Sequence, residues 1–190
     1  WYFQEEIAEA KKLLDFTSGM TALDIGSGIG KAMTAMQRVG FDAYGIEPSP
    51  SFRDASIKYN GIASERVQLA TAETAEFGSA SFDFITFGAV LEHLYDPAHA
   101  IERCLSWLKP NGILHAEVPS SRHLMDWIIN GYFRLRGTNY VTCVSPMHSP
   151  FHLYQFGHQS FEAHGERVGY RIARRTGWSG VVTRGPRPIR

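Results

Sequence analysis

The stretch Leu23-Asp24-Ile25-Gly26-Ser27-Gly28-Ile29-Gly30 restricts this chain more than any other. A short apolar run, Thr21–Gly26, bounded by Gly19 and Gly26, reads as a buried strand. Three glycines then alternate before residues 30–39, where Ala32, Met33, Met36 and Val39 recur at helical spacing. A strand, a glycine turn and a helix in that order bring backbone N–H groups to a helix start with no Cβ in the way. In an open α/β sheet this is where a ligand enters, at the carboxyl edge of the strands.

The same alternation continues downstream. Strands are predicted near 42–47, 67–72, 82–87, 113–118 and 170–175. Helices are predicted at Phe3–Leu14 with Ile7, Ala10 and Leu14 inward, at 51–60 closed by Asn60-Gly61, at Pro97–Leu108 and at Ser160–Gly169. Lys109-Pro110-Asn111-Gly112 reads as a turn, and Val181–Thr183 as a weak strand in a tail rich in Gly, Pro and Arg. The strands lack clean polar alternation, so the sheet is expected to be mostly parallel and covered on both faces.

The chain has 190 residues, room for one domain. Within it, 1–20 reads as an N-terminal cap helix, 21–119 as the core, 120–157 as an insert and 158–190 as a C-terminal helix, strand and tail. Lys+Arg and Asp+Glu both number 19, which argues against a chain built to grip nucleic acid. No apolar run approaches the roughly 18 residues of a membrane span, so no stable membrane insertion is expected. Cys104 and Cys143 are too few for a disulfide scaffold, which points to a reducing, cytoplasmic setting. The chain opens on Trp1 rather than Met, so it reads as a fragment or trimmed piece in which any upstream targeting signal is invisible.

The glycine spacing narrows the ligand. A dinucleotide fingerprint would need its third glycine where Lys31 stands, and Lys31-Ala32 rules out a phosphate loop. Glu47, in Gly45-Ile46-Glu47-Pro48 at the end of the second strand, is placed to accept hydrogen bonds from both hydroxyls of a ribose and would repel a 2′-phosphate. Thr71-Ala72-Glu73 follows the third strand, and Phe87-Gly88-Ala89-Val90-Leu91-Glu92-His93 follows the fourth.

Taken together, D-x-G-x-G-x-G, G-x-E, A-E, S-F-D-F-x-x-F-x-x-V-L-E-H-L-x-D-P and L-K-P-N-G resemble the class I S-adenosylmethionine-dependent methyltransferases. The similarity is to the small-molecule branch that includes the ubiquinone-biosynthesis O-methyltransferases. It covers residues 1 to about 119 strongly, and the H-L-x-x-F and G-Y stretches at 152–170 more weakly. The resemblance implies a Rossmann-like, doubly wound sheet in the order 3-2-1-4-5-7-6, with an aromatic lid inserted after strand five. It implies S-adenosylmethionine as cofactor and S-adenosylhomocysteine as product. Asp24 would face the methionine amino group. Gly26, Ser27 and Gly28 would line the methionine moiety, and Gly30 would let the helix pack close. Glu47 would hold the ribose, and Pro48 would lie on the adenine face. Ala72 and Glu73 would meet the adenine edge; many relatives carry Asp where this chain has Thr71. Carbonyls near Phe87 and Gly88 would receive the ammonium group, and Tyr2 would cover the site.

Residues 120–157 hold seven aromatics and His123, His148 and His152, a composition suited to a lid over a small, apolar or aromatic acceptor. If transfer needs a general base, His148 or His152 is favoured over His93, which reads as scaffold at the start of a helical turn. Pro150 between His148 and His152 breaks the helical spacing that two metal ligands would need, so no metal is expected. Two other readings stay open: a catalytically silent cofactor-binding domain and an NAD-dependent oxidoreductase. The acceptor and the oligomeric state are not readable.

Overall fold

The computed structural model describes residues 3–118, 124–139, 152–176 and 179–183. Its strands are β1 (Thr21–Ile25), β2 (Asp42–Ile46), β3 (Val67–Gln68), β4 (Phe82–Gly88), β5 (Leu108–Glu117), β6 (Arg171–Thr176) and β7 (Ser179–Thr183). Its helices are α1 (Gln4–Leu13), α2 (Lys31–Arg38), α3 (Pro50–Asn60), α4 (Pro97–Trp107), α5 (Leu124–Leu135) and α6 (His158–Val168). Among the described residues the strands form one seven-stranded sheet, β3-β2-β1-β4-β5-β7-β6, the expected order. β1 through β5 pair in parallel, and β7 runs antiparallel to both its neighbours. The weak tail strand is therefore a full member of the sheet, wedged between β5 and β6. No helix of the described residues is long and apolar enough to cross a membrane.

Strand alternation divides the core in two. Ala22, Phe84 and Ile113 face Ile7 of α1 and Met33 and Met36 of α2. Leu23, Ile25, Ile85, Phe87 and Leu114 face Ile101 and Leu105 of α4. Asp24 sits one residue from Leu23 and two from Ala22, so its side chain points to the α1/α2 face. Local chemistry sets the helix ends. Ser49 and Asp96 cap α3 and α4 by accepting from Phe52 N and His99 N, each with proline at the first turn. Gly61 ends α3 in the left-handed region at φ 66°.

Two expectations need correction. The third strand stops at Gln68 rather than residue 72, because Thr71 opens a turn of its own. Thr71 N donates to Thr74 Oγ1 at 3.0 Å, Ala75 N donates to Thr71 O at 2.9 Å, and backbone so engaged cannot continue the ladder. The predicted turn at 109–112 exists but lies inside β5. Leu108 pairs with Phe82 and Ile113 with Phe84, so the intervening residues bulge out, with Asn111 at φ 65°. The insert after β5, expected as an aromatic lid, is described only in part. Part of it is helix α5, whose Trp127 and Leu135 are 81% and 91% exposed, with Ile128 and Tyr132 also exposed. These side chains make one helical stripe that turns outward. The described end of the insert folds back: Tyr154 Oη donates to Tyr95 O at 2.8 Å, and the Phe156 ring lies 5.6 Å from that of Phe161. Tyr2, His123, Tyr140, His148 and Phe151 lie outside the described residues.

Candidate cofactor and acceptor site

The glycine loop leaves β1 and folds back over β2. Gly26 N and Ser27 N both donate to Ile46 O at 2.9 Å, and Gly30 N donates to Ser27 O at 2.8 Å. From α3, Asn60 Nδ2 donates to Ile29 O at 2.7 Å, pinning the far side of the loop. The close approach is possible because residue 45 is glycine. A Cβ there would lie 2.6 Å from Met33 Sδ and 2.8 Å from Ser27 Oγ. Gly30 caps α2 at φ 78° and faces Ile62 and Ser56, so it serves helix packing rather than the cavity.

This loop forms one wall of a cavity of about 240 Å³. Asp24, Gly26, Ser27 and Gly28 line it from β1, Gly88 from the end of β4, and Phe3 from the approach to α1. Gly28, at φ 54°, has nothing within 4 Å of where a Cβ would stand, so the loop leaves open the space a side chain would fill. Across the top, Val90 sits directly on Gly26, where a Cβ would come within 2.6 Å of Val90 Cγ2. Phe3, next to the Tyr2 expected to cover the site, lines this cavity. It is buried, with its ring 5.5 Å from His115 and 6.5 Å from Phe84.

Two buried carboxylates lie at this loop, Asp24 in the cavity wall and Glu47 bonded to Gly28 N. Asp24 is 4% exposed, and burial, helped by the charge of Glu47, pushes its pKa up from 3.8 to about 7. Glu47 is likewise buried, but its carboxylate is held: Gly28 N donates to Oε2 at 2.7 Å and Ser49 N to Oε1 at 2.9 Å. A carboxylate has about four lone-pair positions, so each oxygen keeps capacity for a further donor. The pair favours a ligand that brings positive charge and hydroxyl donors.

The other expected contacts spread along the same carboxyl edge. Pro48 and Glu73 are exposed, Ala72 is buried, and Thr71 spends its hydroxyl on Thr74. Arg103 of α4 holds this turn from beneath, donating to Ala72 O at 3.2 Å and to Ala75 O at 2.5 Å. Phe87 is fully buried, so only its backbone can meet a ligand.

Beyond Gly88 the chain turns through Ala89 at φ 54° into a 3₁₀ turn, Leu91–His93. Leu153 N donates to Glu92 O at 2.7 Å and fixes the returning insert against this turn. That contact brings together two of the three candidate bases, whose rings lie 4.9 Å apart in the case of His93 and His152. Glu92 joins them, 1% exposed, with Oε1 4.0 Å from His93 Nε2. Burial raises its pKa. Sequence reasoning missed Glu92 because it sits inside a family motif and reads as an ordinary helix-start acid. Glu117, at the end of β5, is also raised, by burial and by the charges of Glu6 and Glu92.

Comparison with known proteins agrees with this geometry. A family model described as "Methyltransferase domain" matches residues 2–172. The ubiquinone biosynthesis O-methyltransferase of Methylococcus capsulatus is 30% identical over 98 residues, which is 50% of this chain and 41% of that protein. The chain thus spans about two-fifths of that relative's length. Among solved structures, the YcgJ protein of Bacillus subtilis superposes with a TM-score of 0.66 at 20% identity, covering 90% of this chain and 70% of that one. Phosphoethanolamine N-methyltransferase 2 of Haemonchus contortus, solved with S-adenosyl-L-methionine, gives a TM-score of 0.62 at 19% identity, covering 88% of this chain and 37% of that one. By its matched family model, its sheet order and its glycine-loop motifs, the chain belongs to the methyltransferase domain family, of the class I S-adenosylmethionine-dependent type.

Proposed function

We propose that this chain transfers a methyl group from S-adenosylmethionine to a small, apolar or aromatic acceptor, at a hydroxyl oxygen or a carbon atom. The observation that carries the reading is the cavity at the glycine loop, open at Gly28 and lined by Asp24, with the buried Glu47 carboxylate bonded to Gly28 N beside it. The cofactor is cationic and carries a ribose diol, which matches two carboxylates and a backbone cradle. When bound, it supplies a methyl group already activated on a sulfonium. The rest falls to the chain's own residues.

Asp24 faces the amino group of the methionine moiety, and Gly26, Ser27 and Gly28 line that moiety with backbone. The free lone pairs of Glu47 accept from the ribose hydroxyls. Pro48, Ala72 and Glu73 border the adenine, with Thr71 held in its turn beside them. The carbonyls at Phe87 and Gly88 receive the ammonium group. Phe3 and Val90 keep water from the reacting end, where alignment does most of the work.

The acceptor lies on the side of Glu92, His93 and His152. This cluster activates the acceptor by drawing off or weakening the hold on its proton. His152 was favoured from sequence; its neighbour His93 shares the task here. The test is release of S-adenosylhomocysteine across hydroxyl, carboxyl, amine and carbon acceptors. A phenolic or other hydroxyl or carbon acceptor should turn over in the wild type. His93→Ala and His152→Ala should lower turnover by about 10²–10⁴-fold, the usual worth of acid–base assistance, and leave S-adenosylhomocysteine affinity intact. Full turnover in both variants would refute the acceptor-side assignment.

A further inference from the structure

β3 ends at Gln68, so no ladder bonds hold the chain that follows. Residues 71–75 close on themselves instead. Thr74 N and Ala75 N donate to Thr71 O at 3.2 and 2.9 Å, and the Thr71 and Thr74 hydroxyls face each other at 3.1 Å. Among the described residues, one side chain from another element hydrogen-bonds this turn. Arg103 of α4 donates from Nε to Ala72 O at 3.2 Å and from Nη2 to Ala75 O at 2.5 Å. The residues whose carbonyls it takes, Ala72 and Ala75, are buried in the core that α4 covers.

The guanidinium is itself held in place. It lies 5.3 Å from the ring centroid of Trp107, one turn further along α4. Trp107 is buried, and its ring meets that of Phe77 edge-on at 5.1 Å. A planar fork stacked on an aromatic face reaches two acceptors in a fixed geometry, which a lysine cannot do. Hydrogen bonds from a charged donor are stronger than those between neutral groups, so Arg103 sets where the turn sits. The turn's neighbour makes that position matter. Glu47 N donates to Gln68 O at 3.0 Å, so the chain leaves β3 beside the strand that ends in Glu47.

We propose that Arg103 is a positioning residue for the base end of the cofactor. It holds the turn 71–75, whose Ala72 and Glu73 border the adenine, and it acts through that turn without touching the ligand. The proposal rests on the cofactor reading above and adds to it a residue outside the glycine loop and the strand ends. The methionine and ribose ends belong to Asp24, Gly28 and Glu47, none of which Arg103 hydrogen-bonds. Loss of Arg103 therefore separates the two ends of the ligand. The base loses a fixed wall, and the rest of the molecule keeps its contacts.

The experiment is calorimetry on the full chain with three probes: S-adenosylhomocysteine, adenosine, and S-ribosylhomocysteine, which lacks the base. The weaker ligands are read by displacement of S-adenosylhomocysteine. Arg103→Ala should weaken S-adenosylhomocysteine and adenosine by roughly tenfold, the low end of what a hydrogen bond to a charged group is worth. It should leave S-ribosylhomocysteine unchanged, which also reports that the variant is folded. Arg103→Lys, which reaches one carbonyl at a time, should fall between, and it carries the comparison if the alanine variant does not fold. Glu47→Ala should weaken all three, because they share the ribose. Unchanged S-adenosylhomocysteine affinity in the Arg103 variants, or an equal loss for S-ribosylhomocysteine, overturns the positioning role and leaves the cofactor reading standing. A wild type that binds neither S-adenosylhomocysteine nor adenosine refutes the cofactor reading, and this proposal with it.

Discussion

Asp24→Asn should make this protein more stable and a worse binder at the same time. Asp24 is buried on β1, and burial with the neighbouring Glu47 charge raises its pKa from 3.8 to about 7. An acid whose folded pKa lies above its unfolded one binds more protons in the native state. Its contribution to stability is therefore intact below about pH 4, drains as pH rises toward 7, and stays lost above it. The gap between 3.8 and about 7 corresponds to as much as ~4 kcal/mol at pH 8. Asparagine keeps the shape and removes the charge. Urea denaturation at pH 8 should show the variant more stable by up to that amount, with the difference shrinking toward zero near pH 4. Calorimetry at pH 8 should show weaker S-adenosylhomocysteine binding, because the ligand's ammonium loses its counter-charge. In the wild type, affinity should rise with pH as Asp24 ionises near 7. A variant no more stable than wild type at pH 8, or a difference independent of pH, would refute the reasoning.

Other outcomes follow from the same geometry. Glu47→Ala should weaken S-adenosylhomocysteine binding by about 1.5–3 kcal/mol, the worth of hydrogen bonds to a charged group, read by calorimetry. Gly28→Ala should cost the fold only about 1–2 kcal/mol for a left-handed non-glycine residue, yet block the ligand because its methyl group enters the open cradle; a folded variant with wild-type affinity would contradict this. His115 is buried against Thr86, and burial lowers its pKa to about 4. Its folded pKa lies below its unfolded one, so it costs stability as pH falls from about 6.5 toward 4. His115→Gln should therefore be less acid-sensitive than wild type over that window in denaturation experiments.

The sheet was legible because each strand carries its own signal. Apolar runs such as Thr21–Ile25 and Phe82–Gly88 need no distant information, and the glycine loop announces a strand end followed by a helix. Two things were not local. The shortening of β3 depends on Thr71 and Thr74 hydrogen-bonding each other, a competition between turn and ladder that hydrophobic pattern does not display. The bulge in β5 depends on β4 accepting Leu108 as a partner before the turn. The orientation of α5 was not legible for a similar reason: composition says that Trp127, Tyr132 and Phe133 favour apolar contact, but not whether the helix turns them inward, and Trp127 points out. Asp24, Gly26, Ser27, Gly28 and Gly88, expected together because they sit at strand ends, line one cavity. Glu92 was not singled out, since it acquires its place only when the returning insert folds over the sheet.

The most direct test of the account is calorimetric titration of the wild-type chain with S-adenosylmethionine and S-adenosylhomocysteine, alongside NAD. The account predicts one site per chain that takes both sulfur ligands and not NAD, with affinity lost in Gly28→Ala and reduced in Glu47→Ala. Binding of NAD in their place, or S-adenosylmethionine binding unchanged by either substitution, would contradict it.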